Sequence, residues 1–325
     1  MAAVAKWVES AEGYSLRYRD RCFAVIQEKA LGYYQAYRAN GNLWGASDDL
    51  EKLQTEIQVE GTITPRFSIN WLPTFRCQLV CSYCVARALP IHTHGRERRP
   101  EEWIDLLNSC PHFHDRLSIS GREPTQYAAL GEVLRETEWP ITIDTNGERN
   151  PSEYLSKVDV AERLNAFNLS LHFHPRHERV KPLLSVMDWI TERAPEAQRV
   201  LTIVISQREM PDEIDLAREI AEAHGFTLSV ATFDERYLFH DVPKKPCEKQ
   251  RIIKCSGGHD AVTLAPDGTC FRCIGHIYER ISIGNIFESG WDLLTETPTP
   301  CERQVCSMCD LVYKEFADGR VLYGA

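Results

Sequence analysis

From Pro65 to about Glu235 the chain repeats one pattern, a short run rich in β-branched and aromatic residues followed by a segment with apolar residues at helical spacing. RFSINWLP, RLSISG, ITIDTNG, AFNLSLHFH, RVLTIVIS and TLSVATFDE are six strand candidates. Between them lie the helical segments RPEEWIDLLNSC, YAALGEVLRET, PSEYLSKVDVAERL, HERVKPLLSVMDWITERA and PDEIDLAREIAEAHG. Neighbouring parallel strands need a right-handed crossover, usually a helix, so the alternation predicts an α/β fold with a parallel sheet. Such sheets carry their chemistry in the loops that follow the carboxyl ends of the strands. A chain of 325 residues, 43% of them hydrophobic, can bury this core without a covalent staple.

The flanks differ from this middle. In YSLRYRDRCFAVIQEKALGYYQAYRA an aromatic and aliphatic stripe recurs at helical spacing before the turn-forming ANGNLWGASD, so residues 1–64 are expected to form a helical extension packed on the main domain. After Asp241 the sequence becomes rich in Pro, Lys and Cys, and a Pro-Asp-Gly turn in APDG separates β-like AVTL from TCFRC. The expected division is therefore 1–64, 65–240 and 241–325, the last a small subdomain held by metal.

A net charge of -10 and a pI near 5.6 argue against a general nucleic-acid binder, which needs a concentrated basic surface. The Arg-rich HTHGRERRP reads as a solvated loop, with an anion site as its alternative. No apolar run is long enough to span a bilayer, and the first twenty residues lack a signal-peptide pattern, so the expected location is the cytoplasm.

Twelve cysteines are many for a reducing compartment, where clustered thiols point to metal or redox chemistry rather than disulfides. Three fall together at Cys77, Cys81 and Cys84, directly after the first strand candidate, and seven lie between Cys247 and Cys309. Cys22 and Cys110 stand alone and read as small core residues. A four-iron cluster held by three thiolates leaves one iron without a protein ligand, which a substrate or cofactor can take. A zinc knuckle is the competing use of such spacing, but zinc prefers four ligands and none follows closely in this loop.

TFRCQLVCSYC resembles the CxxxCxxC loop of the radical S-adenosylmethionine (radical SAM) superfamily, with Tyr83 as the aromatic before the last cysteine. The resemblance implies a partial (β/α)6 TIM-like barrel in which a 4Fe-4S cluster and S-adenosyl-L-methionine together generate a 5'-deoxyadenosyl radical. GREPT, with Gly121, Arg122, Glu123 and Pro124, is similar to the family's GGEP loop, which receives the cofactor's ammonium group; Arg122 stands where the family has a second glycine. DTNG, from Asp144 to Gly147, is similar to the ending of the third strand. Ser170 and Ser206 occupy positions where relatives contact the cofactor's ribose or carboxylate. Arg179 is a further candidate for that carboxylate, while His112, His114, His172, His174 and His177 are candidates for substrate binding or proton transfer.

The carboxyl region resembles the twitch subdomain, the shorter relative of the SPASM domain. In that order of motifs Cys255, Cys273, Cys306 and Cys309 would hold one auxiliary 4Fe-4S cluster, with Gly268 in the turn and Ile283 to Ile286 as the following strand. Cys247, Cys270 and Cys301 stay unassigned, and a structural zinc site is the alternative for the whole region. An auxiliary cluster suits oxidation of a substrate radical. The expected activity is dehydrogenation or oxidative bond formation on a small molecule, served by a flavodoxin- or ferredoxin-type electron donor. The small-molecule preference rests on the helical look of residues 1–64, because peptide-modifying relatives often carry a winged-helix domain there. A peptide maturase is the alternative, and a non-catalytic metal scaffold is the alternative of another class.

Overall fold

The computed structural model describes residues 6–10, 13–18, 21–30, 33–38, 43–47, 50–51, 66–79, 81, 84, 96–172, 178, 180–205, 211–232, 252–295, 297–301, 314–316 and 321–322. Two compact units emerge, one of residues 68–244 and 262–293, the other of residues 1–67, 245–261 and 294–325.

In the second of these units, residues 6–47 form five strands: β1 (Lys6–Ser10), β2 (Gly13–Tyr18), β3 (Arg21–Ala30), β4 (Tyr33–Arg38) and β5 (Leu43–Ser47). They pair antiparallel in sequence order, with Trp7 opposite Leu16 and Tyr14 opposite Ile26. This corrects the expected helical extension. Tyr14, Leu16 and Tyr18 recur at every second residue, the period of a strand, and only two residues separate each of the first four strands, the length of a tight hairpin. The apparent helical stripe ran across these turns and summed neighbouring strands into one pattern. The same unit holds β12 (Ile252–Cys255), β16 (Lys314–Phe316) and β17 (Val321–Leu322), an antiparallel sheet in the order β12-β16-β17.

The other unit is the α/β body. All six strand candidates form: β6 (Arg66–Trp71), β7 (Phe113–Ile119), β8 (Ile141–Thr145), β9 (Leu164–Leu171), β10 (Gln198–Ile205) and β11 (Thr227–Thr232). Between them come α1 (Pro100–Asn108), α2 (Leu130–Arg135), α3 (Ser152–Leu155), α4 (Val160–Arg163), α5 (Val180–Arg193) and α6 (Pro211–Ala223). Strands β7 to β11 run parallel. The sheet order is the sequence order from β6 to β11, with no point at which it reverses. A doubly wound sheet reverses, whereas the wall of a barrel advances one way, so this sheet has barrel topology. It stays open, with β11 at one edge.

At the other side β6 is covered by β13 (Ala261–Leu264), then β14 (Thr269–Phe271) and β15 (Gly284–Asn285), which extend the same sheet to nine strands. Two short helices, α7 (Ile274–Glu279) and α8 (Ile286–Ser289), accompany the hairpin. The core is aromatic where these parts meet. Trp71 of β6 and Trp103 of α1 are fully buried and meet edge to face at 5.3 Å, and Trp103 meets Phe287 of α8 at 5.0 Å. Helix α1 starts cleanly because Pro100 fixes its first turn and Glu102 accepts the backbone N–H of Arg99 at 3.0 Å.

Candidate functional site

The loop carrying Cys77, Cys81 and Cys84 leaves the carboxyl end of β6, and both of its ends are tied down. On entry, the Leu72 N–H donates to the Leu264 carbonyl of β13 at 2.9 Å. Further on, the Thr74 hydroxyl and the Arg76 guanidinium both bond the Glu97 carboxylate, which lies beyond the cysteines, so the loop is closed at its base. On exit, the Arg98 N–H donates to the Pro266 carbonyl at 2.9 Å and its Nε to the Asp267 carbonyl at 3.0 Å. The Arg98 guanidinium lies 4.7 Å from the centroid of the Phe287 ring and bonds Glu102 at 3.1 Å. Arg98, in the described part of the basic stretch, thus serves internal structure, while the Arg99 side chain is 75% exposed, as a solvated loop would have it. No sequence pattern marks a Thr74–Glu97 contact, because its partners are 23 residues apart.

All three cysteines are half-buried, and the described residues form no disulfide. The Cys84 N–H donates to the Cys81 carbonyl at 3.3 Å, the turn that brings the pair together. Cys84 packs on the apolar cluster of Leu72, Phe75, Ala265, Phe271 and Ile277. Cys77 Sγ accepts the Leu79 N–H at 3.3 Å and lies 3.9 Å from the Asn146 carboxamide nitrogen. Burial pushes the Cys77 thiol up, opposed first by the Leu79 N–H; the Glu123 charge also raises it and the Arg122 charge lowers it. Among the described residues no three His, Cys, Asp or Glu side chains converge as the ligands of a single ion would. Thiols spread along a loop, one of them, Cys77, accepting a backbone N–H, fit the corners of a cube better than one zinc ion. Tyr83 lies outside the described residues.

GREPT follows β7 and DTNG spans the carboxyl end of β8, so both share the strand-end face with the cysteine loop. One carboxylate joins them. Glu123 is fully buried; one of its oxygens accepts from the Thr125 N–H at 3.1 Å, the Thr125 hydroxyl at 2.6 Å and the Thr145 hydroxyl at 2.8 Å, while the other accepts the Asn146 N–H at 2.8 Å. Burial raises its pKa, and the four donors pull it back. Gly121 turns at φ +119°, close over the Thr74 carbonyl, where a Cβ would stand 3.4 Å from that oxygen. Arg122 tolerates its position without positive φ, and its Nη1 donates to the Phe75 carbonyl at 3.4 Å. Pro124 opens a short 3-10 turn. In DTNG, Gly147 turns at φ +69°, and a Cβ there would stand 2.5 Å from Leu169 and 2.7 Å from Leu183. Asn146 also accepts from Gln78 at 3.3 Å, which links DTNG to the cysteine loop.

Ser170 is half-buried near the carboxyl end of β9, opposite Thr202 of β10. Ser206, His174, His177 and Arg179 lie outside the described residues. The remaining histidines separate. His112 and His114 stand at the amino end of β7, away from the cysteine loop, and His114 stacks on Trp139 at 3.9 Å. His172 follows the carboxyl end of β9, and burial lowers its pKa against the raising effect of Glu148.

The carboxyl cysteines fall in different settings. Cys255 ends β12, exchanges backbone hydrogen bonds with Thr299 at 2.8 and 3.2 Å, and its Sγ accepts the Gly257 N–H at 3.4 Å. Cys301 follows Thr299 by two residues. In the α/β body Cys273 is buried ahead of α7, and Cys270 is fully buried in β14, where its thiol is pushed up to about 12. Cys247, Cys306 and Cys309 lie outside the described residues.

Residues 71–201, from the end of β6 into β10, match the family model described as the Radical SAM superfamily. No curated protein matches the sequence. Among solved structures, native anSMEcpe with bound AdoMet and a Cp18Cys peptide has a similar fold, with a TM-score of 0.52 at 14% identity over 72% of this chain and 81% of that one. The same protein with a Kp18Cys peptide gives a TM-score of 0.53 at 13% identity, with the same coverage.

Proposed function

We propose that this chain, whose residues 71–201 form a radical SAM domain, is an enzyme that takes a hydrogen atom from its substrate by reductive cleavage of S-adenosylmethionine. The observation that carries the reading is the joining of three strand-end loops: Glu123 of GREPT bonds Thr145 and Asn146 of DTNG, and Asn146 meets Cys77. Cys77, Cys81 and Cys84 would hold a 4Fe-4S cluster. Gly121, the Arg122 backbone, Pro124 and Ser170, with Tyr83 and Ser206, would face the cofactor. Glu123 is spent on internal donors, so its part is to hold the loop in shape. Cys255, Cys273, Cys306 and Cys309 would hold an auxiliary 4Fe-4S cluster. When bound, these groups supply a 5'-deoxyadenosyl radical that takes one substrate hydrogen and an acceptor for the electron left behind. Substrate oxidation also needs a base. His172, kept neutral by burial at the strand-end face, is the described histidine placed to take a proton on its imidazole nitrogen.

The small-molecule expectation rested on a helical amino-terminal extension, and residues 6–47 form a sheet instead. That removes its argument. A peptide substrate is therefore the second reading, supported by this correction and by the fold shared with a protein solved with peptides bound.

The deciding assay is anaerobic reconstitution with iron and sulfide, reduction with dithionite, and detection of 5'-deoxyadenosine after S-adenosylmethionine is added. The wild type is expected to form it and the Cys77→Ala, Cys81→Ala, Cys84→Ala triple variant to form none; equal amounts from both would refute the reading and leave a non-catalytic metal scaffold. Calorimetry with peptides encoded beside the gene, and deuterium tracing from substrate into 5'-deoxyadenosine, separate the two substrate classes.

A further inference from the structure

We propose that Arg122 is an electrostatic tuning residue whose guanidinium raises the reduction potential of the cluster that Cys77, Cys81 and Cys84 would hold. The inference rests on the reading of those cysteines as cluster ligands.

The geometry begins one residue earlier. Gly121, at φ +119°, brings the chain after β7 close over Thr74, and the next side chain therefore runs beside the cysteine loop. The Arg122 Nη1 donates to the Phe75 carbonyl at 3.4 Å, two residues ahead of Cys77. Its Nε is buried and has no hydrogen-bond partner among the described residues. A guanidinium keeps its charge at every accessible pH, so it cannot relieve incomplete solvation by losing a proton. Burying it with so few partners is costly unless negative charge lies nearby.

Three thiolates and an iron-sulfur core form such a negative centre. Reduction moves one electron from an external one-electron donor, here dithionite, onto the core; no bond to the protein forms or breaks, and the site becomes more negative by one charge. A fixed cation a short way off in a low-dielectric surrounding stabilises the reduced form more than the oxidised one, which moves the potential upward. Glu123, the next residue, carries the opposite charge and acts against the guanidinium. Its carboxylate is satisfied by four donors of its own, whereas the Arg122 Nε has no hydrogen-bond partner among the described residues. The sequence that resembles the GGEP loop thus departs from it at the residue where a charge can act on the cluster without touching it.

The test is a potentiometric titration of the full-length, reconstituted protein followed by electron paramagnetic resonance, with the first cluster identified as the signal that S-adenosylmethionine perturbs. Arg122→Gln is expected to lower the reduced-to-oxidised ratio about tenfold at a fixed potential, about 59 mV for a one-electron couple. Arg122→Lys is expected to keep most of the wild-type value, and Arg122→Met to follow Arg122→Gln. An unchanged midpoint in Arg122→Gln at full iron content overturns the inference. So does weakened S-adenosylmethionine binding with an unmoved midpoint, which would make the guanidinium a receptor for the cofactor. Should Arg122→Gln not hold iron, the Lys and Met pair decides: equal midpoints overturn the inference. A wild type that takes up no iron fails the cluster reading itself, and this inference with it.

Discussion

Glu123 concentrates four hydrogen bonds on one buried carboxylate, and all four donors belong to three buried residues, Thr125, Thr145 and Asn146, with little solvent to turn to. Replacing it by Ala strands those donors, so urea unfolding is expected to show a loss of roughly 3 kcal/mol. Two cysteines outside the strand-end loop are buried more deeply. Burial holds Cys110 at about 11 and Cys270 at about 12, so at pH 8 only about one thiol in a thousand, or fewer, is ionised. Iodoacetamide on the folded, metal-free protein is expected to spare both, as mass spectrometry of the digested chain would show. His172 sets a pH dependence. Its folded pKa is depressed by burial, with Glu148 opposing, so below the ordinary value of about 6.5 the unfolded chain binds the proton more readily. Stability is expected to fall as pH drops through that window, and His172→Asn to flatten the fall. In turnover the same variant is expected to keep 5'-deoxyadenosine formation while product per 5'-deoxyadenosine falls by about 10²-fold.

At the scale of elements, the cysteine loop is a closed device, fastened at entry by Leu72, across its base by Thr74, Arg76 and Glu97, and at exit by Arg98. Arg98→Ala removes the bond to Asp267 and the contact with Phe287, so a loss of about 1–2 kcal/mol in urea unfolding is expected, with an unchanged denaturant slope. The motifs at this site were legible because each is short and local: CxxxCxxC, GREP and DTNG can be read from neighbours in the chain. The six strands were legible too, since each is a short run rich in β-branched and aromatic residues between segments of helical spacing. The fastening was not. Glu97 lies 23 residues from Thr74, and Arg98 meets Asp267 at a separation of 169, contacts that leave no trace in local composition. Residues 6–47 failed for another reason: with apolar residues on both periods and only two to four residues between successive strands, the helical and extended patterns overlap.

The whole molecule combines an open barrel wall of six strands with a carboxyl hairpin that continues the same sheet. With the proposed auxiliary cluster, the reconstituted chain is expected to hold about eight iron atoms as two cubes. Changing Cys306 and Cys309 to Ala is expected to reduce this to about four while 5'-deoxyadenosine formation persists, as iron analysis beside the activity assay would show. Sequence order also has a consequence during synthesis. Strand β6 ends at Trp71, but the strand that covers its outer edge, β13, begins only at Ala261. A ribosome adding about 10 residues per second therefore leaves that edge without its final neighbour for roughly 20 s. The first strand of the wall is the last to be enclosed, and a nascent chain halted before the hairpin would present its cysteine loop with both fastenings to β13 and the Pro266 turn still unmade.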